Sequence, residues 1–188
     1  MTVISSFLKR LKRFRRDTDG SVTIEFAIIM PMLFWAYASS YVFFDGFRQS
    51  TINLRAAYTI GDMISRETEA LTPGYIDSMY NMTQLLTRTN SPLSLRISVI
   101  RWDAADARFY LDWSQARGAV AALSDGDLTA MAERLPVMPD QERVILVETW
   151  NTWEPVLNVG LPDRSMDNFI FTRPRFAPQV VFDDGTGT

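Results

Sequence analysis

The longest feature of the hydrophobic pattern is an apolar run from residue 22 to residue 44. Glu25 is the only side chain in this run that is charged at neutral pH. A helix rises about 1.5 Å per residue, so the run would extend about 34 Å, enough to cross a bilayer core of about 30 Å. The pattern therefore predicts a transmembrane helix over residues 21–45.

The helical pattern continues after this run but becomes amphipathic. Over residues 47–66, apolar side chains recur at helical spacing, and we expect them to face a core. The predicted stripe consists of Phe47, Leu54, Tyr58 and Ile64, with Ile52, Ala56, Ile60 and Met63 beside it. A second helix is predicted over residues 73–88, since Thr72-Pro73-Gly74 can start it and Asn90-Ser91-Pro92 can end it. Its core candidates are Ile76, Met79, Tyr80, Leu85 and Leu86.

Strand patterns begin after the second helix. Apolar and polar residues alternate over residues 93–102 and again over 107–113, with a short polar turn at 103–106. Two such runs predict an antiparallel hairpin with one face buried against the long helix. The alternation assigns Phe109, Leu111 and Trp113 to one face.

The remaining pattern completes an α+β fold. A short helix is predicted over residues 127–135, capped by the Ser124–Asp127 stretch, and a central strand over 143–150. Further strands are predicted over 168–172 and 179–182, and loops over 115–118 and 151–163. The expected architecture is a long N-terminal helix packed on a small antiparallel sheet, with one or two additional short helices. The domain is expected to cover residues 46–182, followed by a disordered tail, 183–188.

Composition narrows the chemistry. The 188 residues are 47% hydrophobic and include neither cysteine nor histidine. Disulfides, thiolate metal sites and histidine-dependent catalytic triads are therefore excluded. The chain after residue 20 is acidic, which argues against nucleic-acid binding. We expect no metal site, no cofactor and no enzymatic activity.

Charge also predicts the orientation of the membrane span. Six of the 19 basic residues precede it within the first 16 positions, namely Lys9, Arg10, Lys12, Arg13, Arg15 and Arg16. Basic residues near a span favour the cytoplasmic side. Residues 1–20 are therefore expected to be a basic cytoplasmic leader, with the domain beyond residue 45 on the far side.

The position of Glu25 is unusual, because a carboxylate within an apolar span is costly unless it has a partner. Glu25 is the fifth residue after Gly20, which closes the basic leader, and Pro31 follows six residues later. This arrangement resembles the processing site of type IV prepilins. The sequence Gly-Ser-Val-Thr-Ile-Glu-Phe-Ala-Ile-Ile-Met-Pro is most similar to TadE/TadG-like pseudopilins of the tight-adherence (Tad) pilus system. The resemblance covers about residues 15–45.

The resemblance implies a minor pilin of the bacterial inner membrane, with a pilin-like fold and its domain in the periplasm. A prepilin peptidase would cut between Gly20 and Ser21, and Glu25 would then pair with a neighbouring subunit's terminal amine. The expected partners are this peptidase, other pilins of the Tad system and the membrane. The long chain after Gly20, and Phe26 directly after the glutamate, depart from the major Tad pilin and point to a minor component. Pro31 is expected to kink the helix.

Two alternatives remain open for the N-terminal segment. The first is an uncleaved single-pass anchor that scaffolds a secretion or pilus machine. The second is a secreted binding domain, since Ala36-Tyr37-Ala38 followed by Ser39 fits the small-x-small pattern of signal peptidase.

Three weaker patterns suggest other chemistry. Asp125 and Asp127 could be calcium ligands, but helix capping is the favoured interpretation. Trp150 and Trp153 with Glu154 could form a platform for sugar, although tryptophans in a small domain more often belong to the core. Arg173 and Arg175 could contact an anion or could be solvated charges on an edge segment.

Overall fold

A computed structural model describes residues 21–88 and 91–185. The chain divides into two compact units between Phe43 and Phe44. The described part of the first unit is helical throughout. The second unit is an α+β domain.

Three α-helices are formed by the described residues. Helix α1 covers Ser21–Ser65 and continues through Pro31 without interruption. Helix α2 covers Pro73–Thr87, and the Thr72 hydroxyl caps its start by accepting a hydrogen bond from the Tyr75 N–H. Helix α3 covers Asp125–Met131 and continues as a single 3-10 turn over Ala132–Arg134.

The sheet has four strands in the order β2-β1-β3-β4, and every neighbouring pair is antiparallel. The central strands are β1, Ser94–Asp103, and β3, Arg143–Trp153. The edge strands are β2, Arg108–Arg117, and β4, Arg164–Thr172. Because β1 and β3 are covered on both faces, they carry almost continuous runs of buried residues.

The first face of the sheet packs against α1 and α2. Strand residues of one parity, Leu95, Ile97 and Val99 in β1 with Ile145 and Val147 in β3, form a core cluster with both helices. The helical side chains of this cluster are Ala57, Ile60 and Ile64 from α1 and Ile76 and Met79 from α2.

The second face of the sheet is covered by α3 and the segments next to it. Here Ile100, Val144 and Leu146 form a separate core cluster. The covering side chains are Leu123, Leu128, Leu135 and Met138. The domain therefore has a helix–sheet–helix cross-section rather than a sheet with one open face.

The C-terminal segment, residues 180–183, packs against the first core. Val180 is buried in that core, and its carbonyl accepts a hydrogen bond of 2.7 Å from the Trp113 indole N–H. Leu71 and Phe182 form a parallel bridge, and the Asp183 N–H donates to the Leu71 carbonyl. At the start of the proposed tail, Asp183 is thus hydrogen-bonded to Leu71, and the Gly185 N–H donates to Asp183 Oδ1 at 2.9 Å. Residues 186–188 lie outside the described part.

The α+β class predicted from the sequence is confirmed, with a long helix on a small antiparallel sheet and two shorter helices. The predicted core stripe of α1 is confirmed only in part. Ile64 is buried, as are Ala56 and Ile60 from the residues predicted beside the stripe. Phe47, Leu54 and Tyr58 are exposed, because the sheet contacts the side of the helix that carries Ala57 and Ile60. In α2, Leu85 and Leu86 are also exposed, and the threonines Thr83 and Thr87 are buried in place of the predicted leucines.

The hairpin is confirmed, but its second strand is irregular. Val99 pairs with Trp113 while Ile100 pairs with Leu111, so Asp112 is an extra residue in β2. Such a bulge reverses the sides on which the following residues lie. Trp113 therefore joins the first core, whereas Phe109 and Leu111 join the second, contrary to the predicted shared face.

Several predicted boundaries are also wrong. Strand β2 continues through the predicted loop at 115–118, β3 extends to Trp153, and β4 begins already at Arg164. Helix α3 begins two residues before its predicted start and ends earlier. No strand forms over residues 179–182, where the described backbone makes only the single bridge at Phe182.

Candidate functional site

The first unit presents apolar side chains on its exterior. Leu33, Phe34 and Trp35 are successive residues that point to different sides of α1, and their exposed fractions are 59%, 74% and 59%. A helix exposed in this way gains free energy from an apolar environment, either lipid or another apolar helix.

Helix α1 is the one candidate membrane span among the described residues. It qualifies by length and apolar composition, and only 6% of its apolar window is buried. The apolar part of α1 is therefore not a buried core helix of the domain. A signal sequence near the N-terminus meets the same criteria of length and composition, so these criteria alone do not separate an anchor from a cleaved signal.

The predicted site residues that can be located lie on one helix. Ser21 is the first residue of α1, Glu25 and Phe26 lie in its second turn, and Pro31 is within it. The Phe26 ring is exposed. Gly20 and the basic leader lie outside the described residues. Processing after Gly20, the pairing of Glu25 and the kink at Pro31 stay predictions.

In the second unit, polar contacts join the middle of α1, just after residue 44, to the sheet and to α2. The Trp153 indole N–H donates to Asp45 Oδ2 at 3.1 Å. Gln49 Nε2 donates to the Thr87 carbonyl at the end of α2 at 2.8 Å. These contacts fix this part of α1 against β3 and α2.

A buried amide pair continues this attachment. Asn53 is only 2% exposed, and its Nδ2 donates to Asn151 Oδ1 at 2.9 Å. Asn53 Oδ1 in turn accepts from Gln49 Nε2 at 3.3 Å. Since a buried amide without a partner is costly, this network favours one position of α1 on the sheet. The sequence gives no sign of it, because Asn53 and Asn151 are 98 residues apart.

The opposite side of the same helical segment is uncovered. We define the outer face of α1 as residues Phe44, Phe47, Thr51, Leu54 and Tyr58, all of which are exposed. Arg48 and Arg55 are exposed beside it. The outer face lies opposite the side of α1 that contacts the sheet.

Asp125 and Asp127 act as structural acceptors. Asp127 Oδ2 accepts from the Ser124 hydroxyl at 2.7 Å and from the Ser124 N–H at 2.8 Å, and these hydrogen bonds hold the pKa of Asp127 below its usual range. Asp125 Oδ1 accepts from the Leu111 N–H at 2.8 Å. The favoured interpretation, helix capping, is confirmed for Asp127.

The two tryptophans proposed as a sugar platform lie on opposite faces of β3. Trp153 is largely buried against α1, whereas Trp150 lies under the Arg96 guanidinium with 5.0 Å between the guanidinium carbon and the ring centroid. Residues three apart in a strand point to opposite sides, so a shared platform is not formed.

The two arginines of the C-terminal segment form ion pairs within the chain. Arg173 pairs with Glu142 at 2.9 Å and Arg175 with Asp62 at 3.2 Å. Both arginine side chains are more than half exposed, so the pairs contribute little to stability. This arrangement fits solvated edge charges better than an anion site.

One buried ion pair was not predicted. Arg96 in β1 lies opposite Glu148 in β3, and the Nε–Oε2 distance is 2.6 Å. The guanidinium also donates to the Ala121 carbonyl at 3.1 Å. Both charges are largely excluded from water, so removing either would leave the other without its partner. Only the register between β1 and β3 brings Arg96 and Glu148 together. The alternation of residues within one strand cannot predict this pairing.

A cavity of about 720 Å³ opens between α3 and the β1–β2 hairpin. Its lining is mainly apolar and includes Trp102, Phe109, Leu128 and Met138, with the charged residues Arg108, Asp125 and Glu133 also present. Among the described residues, no group of three or more His, Cys, Asp or Glu side chains is placed to hold a metal ion.

Comparison with known proteins identified no relative of this chain. No protein-family model matches the sequence, and no curated protein and no solved structure matches it significantly.

Proposed function

We propose that this protein is a minor pilin, or pseudopilin, of a Tad-type pilus system. It is inserted in the bacterial inner membrane through α1, with its N-terminus in the cytoplasm and its αβ domain in the periplasm. A prepilin peptidase then cuts after Gly20, and the subunit joins other pilins of the system.

The observation that carries this proposal is the exposed apolar part of α1 with one carboxylate near its start. Val22–Phe44 contains Glu25 as its only charged side chain, and the apolar residues around it are exposed. An anchor needs only the apolar length. The carboxylate five residues after Gly20, behind a basic leader, is what favours a processed pilin over a plain anchor.

The role proposed for Glu25 follows from its electrostatics. Two opposite unit charges 4 Å apart attract by about 4 kcal/mol at an effective dielectric constant of 20. Cleavage after Gly20 creates an amine at Ser21, one helical turn from Glu25. Pairing between Glu25 and the amine of a neighbour would set the axial register of two packed helices, because a shift of one helix would move the two opposite charges apart in an apolar environment.

The mature N-terminus tests the proposal first. Intact mass and N-terminal sequencing of the membrane-extracted protein should find a chain that begins at Ser21 when the prepilin peptidase is present. A chain that begins at Ser39 would show a secreted domain and overturn the proposal. An intact leader in the presence of an active peptidase would favour the uncleaved scaffold instead.

A Glu25→Gln variant tests the proposed register. It keeps the shape of the side chain and removes its charge, so we expect normal insertion and cleavage but about tenfold less incorporation into pilus assemblies, a difference of about 1.4 kcal/mol. Glu154→Gln, which removes an exposed carboxylate of the domain, is the matched control. Equal incorporation of the two variants would contradict the role of Glu25.

A further inference from the structure

The loop between β3 and β4, residues 154–163, exposes apolar side chains. Its central part, residues 155–162, contains no ionisable side chain. Val156, Leu157 and Leu161 are 69%, 47% and 38% exposed. Single exposed apolar residues are common on protein surfaces, but several in one uncharged loop indicate a contact with a membrane or with another protein. The position of the loop distinguishes between these two.

Two contacts show where β3 ends relative to α1. A Cβ atom added at Gly61 would lie 3.8 Å from Val147 Cγ2. Further along both elements, the Trp153 indole N–H donates to Asp45 Oδ2 at 3.1 Å. Between these contacts α1 spans about 24 Å and β3 about 20 Å, given their rise per residue. The strand and the helix therefore run side by side in opposite directions, and β3 ends at the level of Asp45.

Asp45 marks the end of the apolar run. It is the first charged residue after Phe44, so with α1 inserted as proposed it lies where the helix leaves the hydrocarbon. Strand β4 begins at Arg164, which pairs with Trp153. Both ends of the loop are therefore at the level of Asp45, and the loop extends past the end of the sheet in the direction in which β3 approaches the membrane. A bilayer surface is the partner that this position supplies.

The chemistry of the loop suits the interfacial layer of a bilayer rather than its hydrocarbon core. An irregular backbone cannot satisfy its peptide groups in hydrocarbon, so it has to stay among hydrated headgroups. Apolar side chains can still reach the boundary between headgroups and acyl chains. Glu154 and Asp163 flank the uncharged part and are exposed, so both carboxylates can remain in water.

We propose that the β3–β4 loop rests on the bilayer and inserts Val156, Leu157 and Leu161 at the headgroup–acyl boundary of the leaflet from which α1 emerges. The inference goes beyond the proposed function and rests only on the membrane insertion that it includes. The loop would give the αβ domain a second attachment to the bilayer besides α1. Two attachments would restrict the tilt of the domain while the subunit is in the membrane.

Fluorescence quenching in vesicles tests this contact. The chain has no cysteine, so Val156→Cys supplies a single thiol in the loop for an NBD fluorophore. The full-length variant is reconstituted in vesicles of phosphatidylethanolamine and phosphatidylglycerol that carry a nitroxide on the acyl chain close to the headgroup. Interfacial apolar groups lie about 5–10 Å into this boundary, so the nitroxide should quench the label and aqueous iodide should not.

Phe176→Cys is the matched control. Phe176 is 68% exposed, close to the 69% of Val156. It follows Arg175, whose N–H donates to the Ser65 carbonyl at 2.8 Å. Ser65 ends α1, about 30 Å along the helix from Asp45. We expect iodide to quench a label at position 176, and the fraction quenched by nitroxide to be about fivefold smaller there than at position 156.

Two results would overturn the inference. The first is equal nitroxide quenching at positions 156 and 176. The second is a label at position 156 that is protected from iodide but is not quenched by nitroxide, because a protein rather than lipid would then cover the loop.

Charge in the loop provides a second measurement. With the label at Leu161→Cys, the double replacement Val156→Asp with Leu157→Asp should lower nitroxide quenching by about fivefold, because a carboxylate loses its hydration when it enters the boundary. Phe176→Asp should leave the quenching unchanged. All of these positions are exposed, so circular dichroism should show the same folded domain in each variant. Unchanged quenching in the double variant would contradict the loop contact.

The two proposals fail separately. A chain that begins at Ser21 in cells, but whose label at position 156 is not quenched by nitroxide, would overturn the loop contact and leave the pilin assignment in place. A chain that keeps its leader, but whose label is quenched, would overturn the processing and leave the loop contact in place. A chain that alkaline carbonate releases from the vesicles would overturn membrane insertion, and with it both proposals.

Discussion

At the scale of single residues, Gly118 shows how closely backbone segments approach in this domain. It follows β2 with a φ of +91°, a region that favours glycine. A Cβ atom at this position would lie 2.6 Å from the Leu93 carbonyl oxygen. Gly160 has a similar φ of +90°, but a Cβ atom there would have no neighbour within 4 Å. The two glycines therefore have nearly the same φ and differ in the space around them.

This pair separates strain from crowding. Gly160→Ala should lower the free energy of unfolding by about 1–2 kcal/mol, since the only cost is the strain of an alanine at a positive φ. Gly118→Ala should cost at least about 1 kcal/mol more, because its Cβ also meets backbone atoms that cannot move as a side chain does. Urea unfolding of the two variants in detergent checks the difference. Equal losses of stability in the two variants would show that the backbone at Leu93 moves aside without a free-energy cost.

At the scale of elements, the main question is what positions α1 on the sheet. Apolar contacts from Ala57, Ile60 and Ile64 supply the buried area but tolerate small shifts of the helix. The hydrogen bond between Asn53 and Asn151 does not tolerate such shifts, because a shift would leave the buried Asn151 Oδ1 without this donor. We infer that the apolar residues hold the helix on the sheet and the amides define its position.

Removing one amide tests this division. Asn53→Ala should lower the free energy of unfolding by about 1–3 kcal/mol, since it leaves the Asn151 side chain without its donor. Thr59→Ala, which removes an exposed hydroxyl from the same helix, should change it by less than about 0.5 kcal/mol.

The double replacement Asn53→Leu with Asn151→Leu distinguishes a polar contact from simple packing. Exchanging both partners for apolar groups of similar size can be nearly neutral. We therefore expect the double variant to recover stability relative to Asn53→Ala, as measured by urea unfolding. A loss equal to the sum of two independent substitutions would mean that the two amides are not coupled.

At the scale of the whole molecule, an exposed apolar helix and a folded acidic domain occur in one chain. The domain needs water around its charged surface, while the apolar part of α1 needs a non-aqueous environment. The basic residues before the apolar run predict, by the positive-inside rule, that the domain lies on the side away from the cytoplasm.

Labelling of intact cells tests this orientation. The chain has no cysteine, so Val137→Cys supplies a single thiol at an almost fully exposed position. A thiol reagent that does not cross the inner membrane, but enters the periplasm, should label this variant as fully in intact cells as after membrane disruption. The unsubstituted chain gives the background. Labelling only after disruption would place the domain in the cytoplasm and contradict the proposed orientation.

Much of the architecture could be predicted because local physics specifies it. A long apolar run requires a helix if it is to enter a bilayer, since only a helix satisfies its own backbone groups there. Thr72 and Pro73 start α2 through capping and a fixed φ, which depend on neighbouring residues alone. The hairpin follows from two alternating runs and a short turn between them. The capping role of Asp127 could be predicted for the same reason.

Other features were decided only by the tertiary structure. Periodicity gives the spacing of apolar residues on α1 but not which side meets the sheet, because both sides of the segment carry apolar side chains. The bulge at Asp112, which separates Trp113 from Leu111, depends on the pairing of β2 with β1. The partners in the Asn53–Asn151 and Arg96–Glu148 pairs are distant in the chain, so only the packing of elements brings them together. The sequence by itself determined which segments are helices and strands, because the secondary structure of a segment depends mainly on residues close to it in the chain. The tertiary structure decided which faces are buried, and so left the outer face of α1 exposed, because burial depends on what each element meets.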